Sequence, residues 1–439
     1  MKIGKRYFDL AVDGIRMDES LSRYRPAVAI ACGLAVILYY FRFIGHPGGM
    51  AIFPMAGACL LRGELLVRCA PGFMYPPFFA FLMIPFAFLP MWARNLAWYA
   101  VLIGATYGSF RICEALTVKA FDLKTRELIW LRVFALALSL KFILAVFENQ
   151  AYDVLVFFFV LLGIYGLSES KSLLASSGLA VAIALKWTPV LLLLYALFLR
   201  KWKIFALGVG LCAFLSLLPD LFFPASDPRA GYLHRWIMEV AGGGLLGASG
   251  EVYPSTWEGG NHLNQSLRPV VHRLVDGSEW SAHFWTILCL TSVAYSVCAV
   301  AVIVGAARVE GASVWRFSVV VISMLMLSPI SSKSQFVALL LPHMAIVAYL
   351  MKHREVWRAA VPLLCGSFVL NTLTAKGLIG RELSNKMLSL GCITIGTLLL
   401  LAVVAVIVFQ SGKEAGAPEY SRLLKRQKCR KESQVGGTF

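Results

Sequence analysis

The chain has 439 residues, enough for two or three soluble domains, yet 59% are hydrophobic and only 15% charged, which excludes an ordinary water-soluble fold. Mean hydropathy is +0.73, and apolar runs long enough to cross a bilayer recur along almost its whole length. The net charge of +17 is scattered among loops. That pattern suits Lys and Arg holding a membrane topology or meeting lipid phosphates, and it excludes a nucleic-acid surface.

In chain order, residues 1–26 form a polar leader carrying Lys2, Lys5, Arg6, Arg16, Arg23 and Arg25. It is expected to be cytoplasmic and retained, because the first apolar run lacks the short core and cleavage site of a signal peptide. A transmembrane domain over 27–410 follows. About twelve spans are predicted, at 27–44, 76–91, 94–112, 130–147, 151–168, 174–199, 204–222, 284–308, 316–331, 335–351, 359–374 and 388–410. The fold class is therefore an all-α polytopic membrane protein. Basic turns around Lys201, Lys203, Arg316, Lys352 and Arg358 mark the cytoplasmic side. The loops 45–75 and 223–283 then fall outside, and the basic tail 411–439 lies inside with the N-terminus. One stretch resists this reading. Residues 111–132 carry five basic side chains, yet counting places them outside, so either the stretch is interfacial or a neighbouring span is re-entrant. The run 174–199, interrupted by Lys186 and Pro189, is the expected place for irregular backbone.

The first loop holds an apolar stretch at 50–61 with the character of a helix lying in the interface. Cys59 and Cys69 share that loop and are candidates to pair if it faces an oxidising compartment. The ten cysteines show no metal-ligand spacing, and nothing in the chain calls for a metal or a cofactor.

Charges within spans are costly and usually face a cavity or a partner. Glu148, Asn149 and Gln150 form a polar knot between two apolar runs, with Asp153 shortly after. Lys186 sits inside ALKWTPVLLLL, and Lys333 in the polar break LSPISSKSQFVALLLP. Glu148 and Lys333 equally suit helix ends in the headgroup layer; Lys186, far from either end of its apolar run, favours a cavity or a phosphate. The large loop contributes Asn264, Gln265 and Arg273, residue types that hydrogen-bond sugars or headgroups but are common in any ordered loop.

Five segments in fixed order carry a resemblance: FMYPPFFAFLMIPFAFLP, ENQAYDVLVFFFVLL, ALKWTPVLLLLYALFLRKWK, NQSLRPVVHRL and LSPISSKSQFVALLLP. Together they are similar to the glycosyltransferase 87 family, polytopic enzymes of the GT-C class related to bacterial polyprenyl-phosphate-mannose-dependent mannosyltransferases. The resemblance implies a helical bundle with interfacial helices in the first external loop. It implies an inner-membrane enzyme that moves a mannose-like hexose or a pentose from a polyprenyl-phosphate donor to a glycolipid or glycan acceptor outside. Its candidate contacts are His46, Tyr75, Glu148, Gln150, Lys186, Asn264, Gln265, Arg273, Ser328 and Lys333.

The family's loop-one aspartate, its catalytic base, aligns with Gly49, and Gln335 stands where the family often has His. Glu64, the only carboxylate in the 45–75 loop, or His46 is one substitute for the base; Glu251 or Glu258 from the large loop is another. A catalytically silent relative is the third reading, and a flippase for a lipid-linked saccharide is a rival of another class.

Overall fold

The computed structural model describes residues 25–44, 48–223, 225, 231–242, 260–275 and 281–415. His46, Glu251 and Glu258 lie outside the described residues. All regular structure among the described residues is helical.

The first helices are α1 (Arg25–Ile44), α2 (Gly49–Leu61), α3 (Met91–Phe121) and α4 (Thr125–Glu148). They are followed by α5 (Asp153–Ser168), α6 (Ser172–Leu185), α7 (Val190–Phe198) and α8 (Trp202–Phe222). The second half contains α9 (Leu267–Val275), α10 (Ala282–Gly305), α11 (Ala312–Met326) and α12 (Leu340–Lys352). The last four are α13 (Trp357–Thr372), α14 (Lys376–Ile379), α15 (Arg381–Ser389) and α16 (Cys392–Ala415). Six helical stretches among the described residues have both the length and the hydropathy to cross a bilayer: α3, α4, α8, Ala282–Arg308, Lys333–Lys352 and Cys392–Ser411. The helices α5, α6 and α11 are apolar but shorter. Six of the twelve ranges read from sequence thus stand at full crossing length.

The helices sort by neighbour. The stretch Lys333–Lys352, a 3-10 turn running into α12, is almost wholly buried and forms the centre of the bundle. By contrast α10 exposes Leu290, Val293, Val297, Val300 and Val304 along one side. Such a stripe at helical spacing is ruinous in water and ordinary against lipid. Helices α5 and α6 approach unusually closely, because a Cβ on Gly166 would lie 2.4 Å from the Ala175 backbone nitrogen. Small residues at such contacts let dispersion act between whole helix faces.

Two local departures from the predicted spans follow from proline and charge. Residues 76–91 do not make one helix; they divide into Pro77–Leu82 and Ile84–Ala87, each too short to cross. The run 174–199 breaks at Lys186, where the backbone turns extended (φ −159°, ψ 124°). Three residues on, Pro189 (φ −67°) suits the start of α7. The Leu185 carbonyl left over at this break accepts from the Tyr152 hydroxyl at 3.3 Å. The basic stretch 111–132 is absorbed without an interfacial detour: α3 simply continues for 31 residues, and Glu114 pairs with Arg132 at 2.6 Å and Arg111 at 3.2 Å. In the first loop α2 covers the predicted apolar stretch, and Cys59 and Cys69 are joined as a disulfide.

Candidate functional site

A cavity of about 1480 Å³ opens at one end of the bundle. Helix termini make its wall: the ends of α1, α4, α6, α11 and α13, and the starts of α2, α5 and α7. Breaks in helices at membrane depth are tolerated where they face such a space. The volume exceeds the range usual for small-ligand pockets and leaves room for a sugar and a lipid headgroup together.

Asp153 stands in the first turn of α5, where the helix N-terminus favours negative charge. It is buried and lines the cavity. Its Oδ1 accepts from Lys186 Nζ at 2.8 Å, and its Oδ2 accepts from Ser334 Oγ at 2.5 Å. Three elements therefore meet on one carboxylate: the start of α5, the break after α6 and the 3-10 turn below α12. In the sequence Asp153 stands out only as an acid shortly after the polar knot at 148–150. The signal available was the buried Lys186 charge, which needs an acidic partner.

A second group of polar atoms sits a short step away. Lys333 Nζ donates to the Thr374 carbonyl at 2.7 Å, and Lys141 Nζ reaches the same turn through the Asn371 carbonyl and Thr374 Oγ1. Lys141 was not singled out from the sequence, because one Lys in a long apolar run resembles an ordinary snorkelling side chain. Glu148 lines the cavity and is held by Arg42 at 2.9 Å. Ser328 lines it too, with its hydroxyl spent on the Ile330 carbonyl at 2.7 Å. Gln335 faces the same space.

Aromatic side chains close one flank. Tyr75 lines the cavity and meets the Tyr152 ring edge-on at 4.8 Å. Burial, and then the charge of Asp153, push its hydroxyl well above the ordinary phenol range, so Tyr75 offers a proton donor and not a base. Trp187 packs edge-on against Trp236 at 4.9 Å, and both line the cavity.

Several predicted contacts turn out to hold the frame. Gln150 Oε1 accepts from Met50 N at 3.0 Å, and its Nε2 donates to the Phe43 carbonyl at 2.9 Å; it joins α1 to α2 and does not line the cavity. Asn264 bridges the Pro329 carbonyl and Ser331 N, while Gln265 donates to the Leu388 carbonyl. Arg273 donates to the carbonyls of Ser389, Asn261 and Asn264. Burial lowers its guanidinium to about 10, which leaves it cationic at neutral pH. These three clamp the loop before Lys333 against α15 and lie outside the cavity lining. Arg273→Ala is accordingly expected to lower stability by about 2 kcal/mol, because it strips charged hydrogen bonds from buried carbonyls. Thermal unfolding in detergent reads this loss, and donor affinity in the folded fraction should be unchanged.

Glu64 is also misplaced for catalysis. It is exposed, paired with Arg62 at 2.9 Å, and absent from the cavity wall. The Arg62 hydrogen bond holds its carboxyl below the usual range, which further weakens it as a base. Its oxygens lie with the Cys59 and Cys69 sulfurs within 4.8 Å, but those sulfurs are bonded to each other and give a metal no thiolate.

Gly49 does line the cavity. A Cβ there would lie 2.2 Å from Phe53 Cε2 and 2.7 Å from the Gln150 carbonyl oxygen. A side chain at position 49 therefore requires the Phe53 ring and the turn at Gln150 to shift, and the carboxylates that line the cavity are Glu148 and Asp153.

The sequence model of glycosyltransferase family 87 matches residues 73–329. Among solved structures, the crystal structure of ArnT from Cupriavidus metallidurans in the apo state is similar with a TM-score of 0.45 and 11% identity, covering 90% of this chain and 78% of that one. No curated protein matches the chain. The family match takes in the start of α5 with Asp153, the break with Lys186 and the turn with Ser328, and by it the chain belongs to glycosyltransferase family 87.

Proposed function

We propose that this membrane glycosyltransferase moves a sugar from a polyprenyl-phosphate carrier to a glycolipid or glycan acceptor, with Asp153 as the base. The observation that carries the reading is one cavity lined by a buried carboxylate, Asp153, and by two lysines, Lys141 and Lys333, that form no ion pair among the described residues. The acceptor hydroxyl gives its proton to Asp153 as its oxygen bonds the anomeric carbon. The bond from that carbon to the phosphate oxygen breaks, and the carrier departs as a phosphate monoester with one more negative charge. Lys141 and Lys333 receive that charge; preorganised cations aimed at developing charge are worth most in a site shielded from water. Phosphate needs no general acid to leave, so one carboxylate suffices where glycosidases use two. Lys186 keeps Asp153 in place, and Tyr75, Trp187 and Trp236 shape the wall for the sugar.

The same reading orients the chain. The end of the bundle away from the cavity carries Lys119, Lys201, Lys203, Arg308, Lys352 and Arg358. There Lys119 pairs with Glu169, and Lys352 reaches the Phe121 carbonyl. By the positive-inside rule that end is cytoplasmic. The cavity then opens on the outer side of the inner membrane, and the Cys59–Cys69 disulfide faces an oxidising compartment.

The test is to incubate the purified full chain with several polyprenyl-phosphate sugars and a native lipid extract, then search for a new glycolipid by mass spectrometry. One donor should yield a product and free carrier phosphate in equal amounts, and Lys333→Ala should cut turnover by about 10²-fold. Movement of lipid-linked saccharide across vesicles with no transfer would replace this reading with a flippase.

A further inference from the structure

The disulfide between Cys59 and Cys69 is not a sealed crosslink. Cys59 is fully buried, but Cys69 is half-exposed, so one of the two sulfurs stands within reach of an incoming thiol. Arg62 lies against both: its Nη2 is 3.2 Å from Cys69 Sγ and 3.8 Å from Cys59 Sγ, while the same guanidinium holds Glu64 at 2.9 Å. A cation beside a sulfur favours the thiolate, and a stabilised thiolate leaves a disulfide faster. Exposed disulfides are the labile and regulatory ones.

The crosslink also sits just before a wall of the cavity. It ties the end of α2 to the short helix Leu66–Cys69, and the chain that follows lines the cavity with Gly72, Met74 and Tyr75. Backbone hydrogen bonds from Arg68, Cys69, Ala70 and Phe73 all return within this segment, to Leu65, Leu66 and Ala70. Its hold on α2 therefore comes from side-chain packing and from the disulfide. The Met74 carbonyl in turn accepts from Trp236 Nε1 at 3.1 Å, and Trp236 packs against Trp187. One thread of contacts thus runs from the disulfide to the aromatic side chains that shape the cavity.

We infer that the Cys59–Cys69 disulfide is a redox site opened by a protein dithiol of the Cys-x-x-Cys class, and that its opening withdraws Met74, Tyr75 and Trp236 from the cavity wall. A thiolate of the dithiol attacks Cys69 Sγ; the disulfide bond breaks, and Cys59 departs as a thiolate beside Arg62. The second thiol of the dithiol then attacks the mixed disulfide and releases Cys69. The dithiol loses two electrons and two protons and becomes a disulfide, while Cys59 and Cys69 gain them and end as thiols. This chemistry is independent of what the cavity transfers.

The experiment exposes the purified full chain, folded in a neutral maltoside detergent, to dithiothreitol and separately to reduced thioredoxin. Freed thiols are trapped with N-ethylmaleimide under denaturation, and peptide mass spectrometry reads Cys59 and Cys69. Both should open while the chain is still folded, and hydrogen exchange should rise at 70–75 and 232–240. Arg62→Ala should slow the opening by about ten-fold and leave transfer by the oxidised protein unchanged. On opening, sugar transfer should fall by about 10²-fold, the cost of misplacing a site by about 1 Å, and it should return when oxidised glutathione recloses the bond. Cys59→Ser/Cys69→Ser should keep the low rate with or without dithiol. A disulfide that persists until the chain unfolds overturns the redox site, and equal opening rates in parent and Arg62→Ala overturn the assisted exchange. Opening that leaves both hydrogen exchange and transfer unchanged overturns the link to the cavity. If the oxidised parent transfers no sugar, the transferase reading falls, while trapping and hydrogen exchange still decide this one.

Discussion

Asp153→Asn is expected to lower the rate of sugar transfer by about 10²–10⁴-fold, the usual worth of a positioned base. The substitution keeps the shape of the side chain and one oxygen for Ser334 or Lys186, so donor affinity should change far less than turnover. It also leaves Lys186, itself mostly buried, without its counter-charge, and breaking such a pair costs about 3–5 kcal/mol. Loss of activity alone would therefore be ambiguous between chemistry and folding. The double variant Asp153→Asn/Lys186→Met separates the two: removing both charges should recover most of the thermal stability, and transfer should remain absent. Glu64→Gln is the matching control. With its carboxylate exposed and bound to Arg62, the variant should transfer sugar as the parent does. Full activity in Asp153→Asn, or its loss in Glu64→Gln, would return the base to the first loop.

The contrast between Asp153 and Glu64 shows what the sequence discloses and what it hides. Membrane-spanning runs are legible because lipid demands hydrophobic side chains at every depth, and six of the predicted ranges are full-length helices. The errors lie where a run has the right composition but a hidden break. Residues 76–91 contain prolines at both helix starts, and 174–199 hides an extended residue at Lys186. The break at Lys186 is legible, because a charge and a proline interrupt the apolar run together. The charge paradox at 111–132 eases once 76–91 no longer counts as a crossing: the basic end of α3 then moves to the same side as Lys352. For the site, charge alone is a weak guide. Asp153 opens α5 and so resembles any acid in a first helical turn; only the fold shows that Lys186 and Ser334 converge on it. Asn264, Gln265 and Arg273 have the right chemistry for ligands, yet backbone carbonyls across the loop consume their donors. Nothing in their order along the chain distinguishes these two fates.

Gly49→Asp, which places an aspartate where the sequence resemblance aligns the family's base, is expected to reduce both stability and transfer. Gly49 sits where α2 begins, and its backbone nitrogen donates to the Asn149 carbonyl at 3.1 Å. A Cβ would meet two obstacles. Phe53 is buried among Tyr75, Phe79, Trp98 and Tyr152, so its ring can move only by giving up those ring contacts and entering the cavity it lines. The Gln150 carbonyl is backbone and already accepts from Trp98 Nε1 at 2.9 Å. Relief must come from lifting α2 away from the turn at residues 148–153, and that turn places both Glu148 and Asp153. Gly49→Ala isolates the clash without adding charge and should cost about 1–3 kcal/mol, as overpacking in a close-packed interior does. Gly49→Asp adds a carboxylate to the same space and should cost more, with transfer falling in step as Asp153 shifts. Thermal unfolding and transfer measured on Gly49→Ala and Gly49→Asp together decide the matter. A stable Gly49→Asp protein with higher activity than the parent would mean that the cavity still accepts a loop-one base and that Asp153 is not its replacement.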